Sequence, residues 1–321
     1  KIKIISFLIF SVLMITFISC KKNSATGISA DIYIAGFDNG YIAYWKNGKE
    51  YRLSSTTNYN GTANGIALSG TNVYVAGHVG FTAMLWKNGT GTALTDGLSS
   101  ADARGIAISN NDIYIPGFQY GANGNYDLYW KNGTETILST ISGVPSANAI
   151  ALSGSDIYVA GNIDATAISW KNGVSTILST NVSYANAVIV SGTDVYIAGA
   201  DNGNAVYWKN GIKTILSNNS SVAFGIAISG TDVYVVGSDN HNNAVYWKNG
   251  VETILATGPT GYASANAITI VGTDIYIAGA VNDLSINAGV YWKNGVRTTI
   301  VSAPASSFAS CTANAIVVLN H

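Results

Sequence analysis

The tetrapeptide W-K-N-G begins at Trp45, Trp86, Trp130, Trp170, Trp208, Trp247 and Trp292, which are all the tryptophans of the chain. A motif that returns after about 40 residues marks a repeat, and a repeat fixes architecture before anything else does. Each unit reads close to A-N-A-I-A-I-S-G-T-D-V-Y-I-A-G, a loop, A-V-Y-W-K-N-G, then T-I-L-S and a second loop. Four short alternating or β-branched segments between Gly, Asn and Ser turns predict four strands. We number them in order: first (AIAIS), second (DVYIAG), third (AVYW) and fourth (TILS). SGTD joins the first pair and KNG the last, and turns that short join antiparallel neighbours.

Four-stranded antiparallel units repeated radially make a β-propeller. A β-solenoid stacks parallel coils and has no use for tight hairpins. The chain enters at Asp31 on a second strand and finishes, over Asn314 to Leu319, on a first strand without successors. Together these ends complete one blade, which closes the ring and removes exposed edges. The expected fold is all-β, a seven-bladed propeller over residues 31–321.

Spacing separates two faces. In every repeat, eight residues lead from Asn64, Arg104, Asn148, Asn186, Phe224 or Asn266 to the turn Asp or Asn of the second strand. Five more reach the Gly that ends that strand, and eight lead from Trp to the last apolar residue of the fourth strand. Length changes fall elsewhere: second-to-third connections run 9 to 13 residues and fourth-to-first connections 8 to 14. In an up-and-down meander these variable connections share one face, where binding usually lives. The fixed SGTD and KNG turns share the other.

The constant residues read as scaffold. Asp31 and its counterparts are expected to satisfy backbone N–H groups in the SGTD turn, as Asx residues do, and to pair with the KNG lysines. Each Trp is expected to pack between blades with its N–H on a turn carbonyl. Ala63, Ala103 and their counterparts fit crowding near the axis.

What remains is the variable face. Eleven of the twelve other aromatics fall there, including Tyr59, Phe118, Tyr120, Tyr184, Phe224 and Phe308. So do eight aspartates against the single Arg104, about −7 in all: Asp38, Asp96, Asp102, Asp127, Asp164, Asp201, Asp239 and Asp283. Net charge is −1 with Lys1, Lys3, Lys21 and Lys22 included, so the ring itself carries about −5. Such a face disfavours nucleic acid and suits a protein or glycan. Candidate ligand-binding residues are Asp38, His78, Arg104, Phe118, Tyr120, Asp164, Asp201, Phe224, Asp239 and His241. A calcium ion near Asp201, Asn202 and Asn204 has no D-x-D-x-D-G loop behind it, and no cofactor or metal is expected.

No H-x-x-H, G-x-S-x-G or phosphate loop appears. His78 and His241 lie in different blades, and the three arginines Arg52, Arg104 and Arg297 do not make a sialidase-like cluster. An enzyme would need His or acid side chains within about 4 Å of one another at the channel mouth.

Before the ring, Lys1 and Lys3 precede an apolar run from Ile4 to Ile18, the length of an export-signal core rather than a spanning helix. F-I-S-C, ending at Cys20, resembles the lipobox of bacterial lipoproteins, with Phe17 where Leu is usual. The resemblance is to Gram-negative lipoproteins that carry a β-propeller, without WD, kelch or Asp-box signatures. It implies a signal peptide over 1–20, lipidation of Cys20 and a tether over 21–30 reaching at most roughly 33 Å. It also implies a location at the outer membrane, facing periplasm or exterior, with the lipid as the only membrane contact. Cys311 then has no partner and is expected to be a buried small residue. The function expected is a monomeric, lipid-anchored, non-enzymatic binding scaffold using its variable face. An envelope-assembly factor is the alternative, and a propeller hydrolase or lyase comes after it.

Overall fold

The computed structural model describes residues 30–321 apart from 56, 58, 59, 123, 219, 259, 260, 284 and 305–309. The expected signal peptide, Cys20 and nearly all of the tether lie outside the described residues, as do Tyr59 and Phe308. The rest forms seven antiparallel sheets in a ring, with no helix among the described residues. Ala30–Asp38, the second strand of blade 1, pairs on one side with Tyr41–Lys46 and on the other with Cys311–Asn320. The two ends of the chain therefore complete one blade, as the sequence predicts. First strands neighbour one another around the axis, the C-terminal strand lying between those of blades 7 and 2.

All seven KNG turns are alike. Asn47 and its counterparts have φ of 50 to 52° and the following glycines 80 to 85°, the left-handed pair that a two-residue hairpin requires. In blade 1 the Asn47 side chain accepts the Ile32 N–H at 2.8 Å and donates to Asp31 at 2.7 Å. Lys46 binds the other Asp31 oxygen at 2.7 Å and lies over the Tyr33 ring. The arrangement recurs in six blades; in blade 2, Asn72 replaces Asp and Asn88 donates to it at 2.8 Å. The exposed backbone N–H is thus capped by the turn Asn, and the Asp holds Asn and Lys in place. That corrects the expectation that Asp would cap the backbone itself.

Each Trp packs on the preceding blade. Trp86 joins Tyr33, Ala35, Ile42 and Tyr44 of blade 1, and Trp208 joins Ala160 and Ala167 of blade 4. Burying an indole at this scale contributes roughly 4–6 kcal/mol. The indole N–H does not find a turn carbonyl: Trp247 donates to Glu252 at 3.0 Å, and Trp170, Trp208 and Trp292 have no partner.

The inner strands carry a device that spacing alone does not reveal. Pairing slips at one residue in each blade, leaving Asn314, Asn64, Asn148, Asn186, Phe224 and Asn266 as bulges between paired neighbours. A bulge re-aims the side chain, and here it turns toward the axis. Arg104 holds this place in blade 3. There the first strand breaks into Ala101–Ala103 and Ala107–Ser109, because Pro116 opposite has no N–H to give. The bulge also drives a carbonyl against the second strand, so the glycine facing it in that strand is obligatory. A Cβ on Gly199 would overlap the Tyr184 carbonyl oxygen, and the other six blades repeat the conflict.

Candidate functional site

The bulge residues ring the axis and line a channel of about 470 Å³. Five of the seven are asparagines, and each donates its amide to the alanine carbonyl of the next blade. Asn64 reaches Ala103, Asn148 reaches Ala185, Asn186 reaches Ala223, Asn266 reaches Ala313 and Asn314 reaches Ala63, all at 2.9 to 3.0 Å. Arg104 and Phe224 break this girdle. Phe224 makes no such bond, whereas Arg104 builds a new cluster.

Arg104 donates from Nε to Asp102 at 3.1 Å and from Nη1 to Asn148 at 3.0 Å and Ser146 at 3.3 Å. Its guanidinium lies 5.0 Å from the Phe118 ring centre, and Tyr120 meets Phe118 edge-on at 5.6 Å. The second Asp102 oxygen takes Nδ1 of His78 and Nδ2 of Asn64, both at 2.8 Å. Asp102 thus bridges blades 2 and 3, and its charge offsets that of Arg104 beside it.

From Arg104 a groove of about 630 Å³ runs across blades 3, 4 and 5 on the variable face. Its walls offer the rings of Phe118, Tyr120 and Tyr184, the amides of Asn148, Asn162 and Asn186, and the exposed Asp164. Asn148 donates to Asn162 at 3.3 Å, and Asn162 donates to the Asp164 carbonyl at 3.0 Å. The amides are therefore pre-positioned by one another. Aromatic faces beside fixed amides and one charge-balanced cation suit a neutral polar ligand.

Of the candidate residues, Arg104, Phe118, Tyr120 and Asp164 meet in this groove; His78 stands behind Arg104 through Asp102, and Phe224 lies across the channel. The others are elsewhere. Asp201 is 1% exposed and accepts from Ser179, Asn181 and Lys213. Burial works to raise its carboxyl, but those donors outweigh it and hold it below the usual range. Asp239 is buried and takes the His241 and Asn243 N–H groups at 2.9 Å, leaving the His241 side chain 74% exposed. Asp38 faces Arg52 at 3.9 Å and the buried Cys311, whose thiol is pushed up to about 11 by burial and then by Asp38. The variable face is accordingly far less acidic in effect than its composition. Among the described residues no three His, Cys, Asp or Glu side chains gather as a metal ion would need. Sequence reading missed Asn148 and Asn186, which follow the repeat pattern and so carry no signal of their own, and Ser146 and Asn162, small polar residues in variable segments; Asp102 was visible only as one acid among eight.

No protein-family model matches the chain, and no curated protein matches it. Among solved structures it is similar to the computationally designed Ika8 protein, at 18% sequence identity and a TM-score of 0.46, over 83% of this chain and 79% of that one. The seven-bladed fold stands on this chain's own strand pairing.

Proposed function

We propose that this protein is an exported, lipid-anchored binding module that holds a neutral polar ligand, a glycan or a polar protein segment, in the groove beside Arg104. The observation that carries the reading is the local break in the sevenfold pattern. Where five sister blades place a self-satisfied asparagine, blade 3 places Arg104 beside a cluster of aromatics and a row of amides. Anchoring through Cys20 fits the same picture. Ala30 opens the second strand at the fixed-turn end, opposite Asn320 and next to the Asp31–Lys46 pair. A tether attached there leaves the variable face pointing away from the bilayer.

The test is a glycan array and a pull-down from envelope extract, comparing the native protein with Arg104→Asn, Tyr120→Ala and Tyr184→Ala. Arg104→Asn restores the sister sequence and keeps the fold. Retained binding in all three variants, with unchanged circular dichroism, refutes the reading. Palmitate labelling lost in Cys20→Ser checks the anchor separately.

A second reading, catalysis through His78, rests on the 2.8 Å bond to Asp102, which fixes one ring nitrogen as a catalytic pair would. No hydroxyl or thiol is hydrogen-bonded to that ring among the described residues. Turnover of a groove ligand that is abolished by His78→Gln would favour it over binding alone.

A further inference from the structure

One interface between blades lacks the side chain that fills its sisters. The residue before each WKNG tryptophan is Tyr44, Tyr129, Tyr207, Tyr246 or Tyr291 in five blades, Leu85 in blade 2 and Ser169 in blade 4. The tyrosines pack forward on the next blade: Tyr44 with Ile66 and Trp86, Tyr207 against Val235 and Trp247. Tyr129, Tyr246 and Tyr291 do the same in their interfaces. Between blades 4 and 5 the apolar cluster has no such ring.

A cavity of about 210 Å³ stands in that place. Its walls include Val159, Leu178, Val188, Val195 and Ile197, with Tyr158, Trp170 and Lys171 also lining it and Ser169 and Thr176 contributing hydroxyls. Thr176 and Asn210 are exposed, so they mark its mouth near the fixed-turn face, away from the Arg104 groove. Blade 2, where Leu replaces Tyr, has a wider and more polar recess against blade 3. Both interfaces without the tyrosine are thus incompletely filled. An apolar void of about 150 Å³ already accepts a benzene ring.

We propose that the Ser169 cavity is a binding site for a single phenolic ring, the group its five sister interfaces supply from their own chain. The ring occupies the apolar part of the pocket, and its hydroxyl lies among Ser169, Thr176 and Asn210. This site is independent of the variable-face groove.

The experiment is saturation-transfer NMR and thermal melting with p-cresol, and with N-acetyltyrosinamide to separate a free phenol from a tyrosine side chain presented by a partner. Native protein is expected to show saturable transfer and a raised Tm with p-cresol. Ser169→Tyr is expected to reduce both to the no-ligand level while raising the unliganded Tm. Transfer to N-acetyltyrosinamide that Ser169→Tyr also removes assigns the site to a protein side chain as well. Tyr207→Ser is expected to open an equivalent cavity and double the ligand bound at saturation. Should Ser169→Tyr not fold, Ser169→Phe is expected to abolish p-cresol binding in its place, while the doubling in Tyr207→Ser tests the same site from the opposite direction. Absence of p-cresol binding to the native protein, or binding that survives filling of the cavity, overturns the proposal.

Discussion

The two faces of the ring use the same residue types to opposite ends. On the fixed-turn face, Asp, Asn, Lys and Tyr solve one problem seven times, with Lys–Asp distances of 2.7 to 2.8 Å in all six blades that carry the Asp. On the variable face every carboxylate has its own partner: Lys213 for Asp201, Asn243 for Asp239, Arg104 and His78 for Asp102. Repetition identifies groups that satisfy one another. Variation does not by itself identify groups that are free, since Asp201 and Asp239 vary and yet are buried. Among the described residues, the groove beside Arg104 is the opening on the variable face where aromatic rings and amides come together.

The largest effect expected sets the inner bulge against the outer turn. Gly199→Ala puts a Cβ onto the fixed Tyr184 carbonyl and should cost about 3 kcal/mol or more in urea unfolding. Gly211→Ala, at φ +81° in open space, should cost about 1 kcal/mol. Equal costs would break the link between bulge and glycine. Next comes a variable-face acid. Asp127 accepts from Ser139 and the Ser146 N–H, and burial raises its carboxyl to about 6. The folded state therefore holds a proton that the unfolded chain has released. The stability this contributes is complete below about pH 3.8 and lost by about pH 6. With Asp127 buried, the swing is about 2–3 kcal/mol, and Asp127→Asn should flatten that part of the stability–pH curve.

On the fixed face, Asn210→Ala loses the cap on Val195 N–H and places Ala at φ 50°, an expected loss of about 1–2 kcal/mol by the same urea assay. The smallest effect belongs to the exposed ion pairs. Lys209 and Asn210 hold the Asp194 carboxyl below its usual range, so its contribution is present above the ordinary carboxylate range and lost as pH falls. Asp194→Asn should leave the midpoint nearly unmoved at neutral pH and remove a salt-sensitive part at low ionic strength. A drop larger than that of Asn210→Ala would reverse the ranking of cap over charge.

Much of this was legible because it is local. Asn-Gly requires its hairpin, period-2 segments require strands, and seven copies with matching ends require a closed ring. Constant spacings told the two faces apart for the same reason, since hairpin length is set within a few residues. The Asp–Lys pairing was readable from both residues lying at one end of adjacent strands. The capping role of Asn47 was not, because it depends on which side-chain oxygen reaches which N–H across the turn.

Relations between strands and between blades belong to the tertiary structure alone. The slip that turns Asn64 and its counterparts to the axis is a matter of register, and register is written across a pair of strands. The same holds for the cluster at Arg104, whose partners come from three blades. Ser169 in a column of tyrosines was in plain sight in the sequence. Only packing showed that this column faces the next blade, and hence that a missing ring leaves a cavity and not merely a smaller surface residue. The sequence by itself determined seven blades, two unlike faces and a closed ring, because turns and periodicity act over a few bonds. Which side chains face the channel, which acids are spent internally and where space remains were decided by contacts between residues dozens of positions apart.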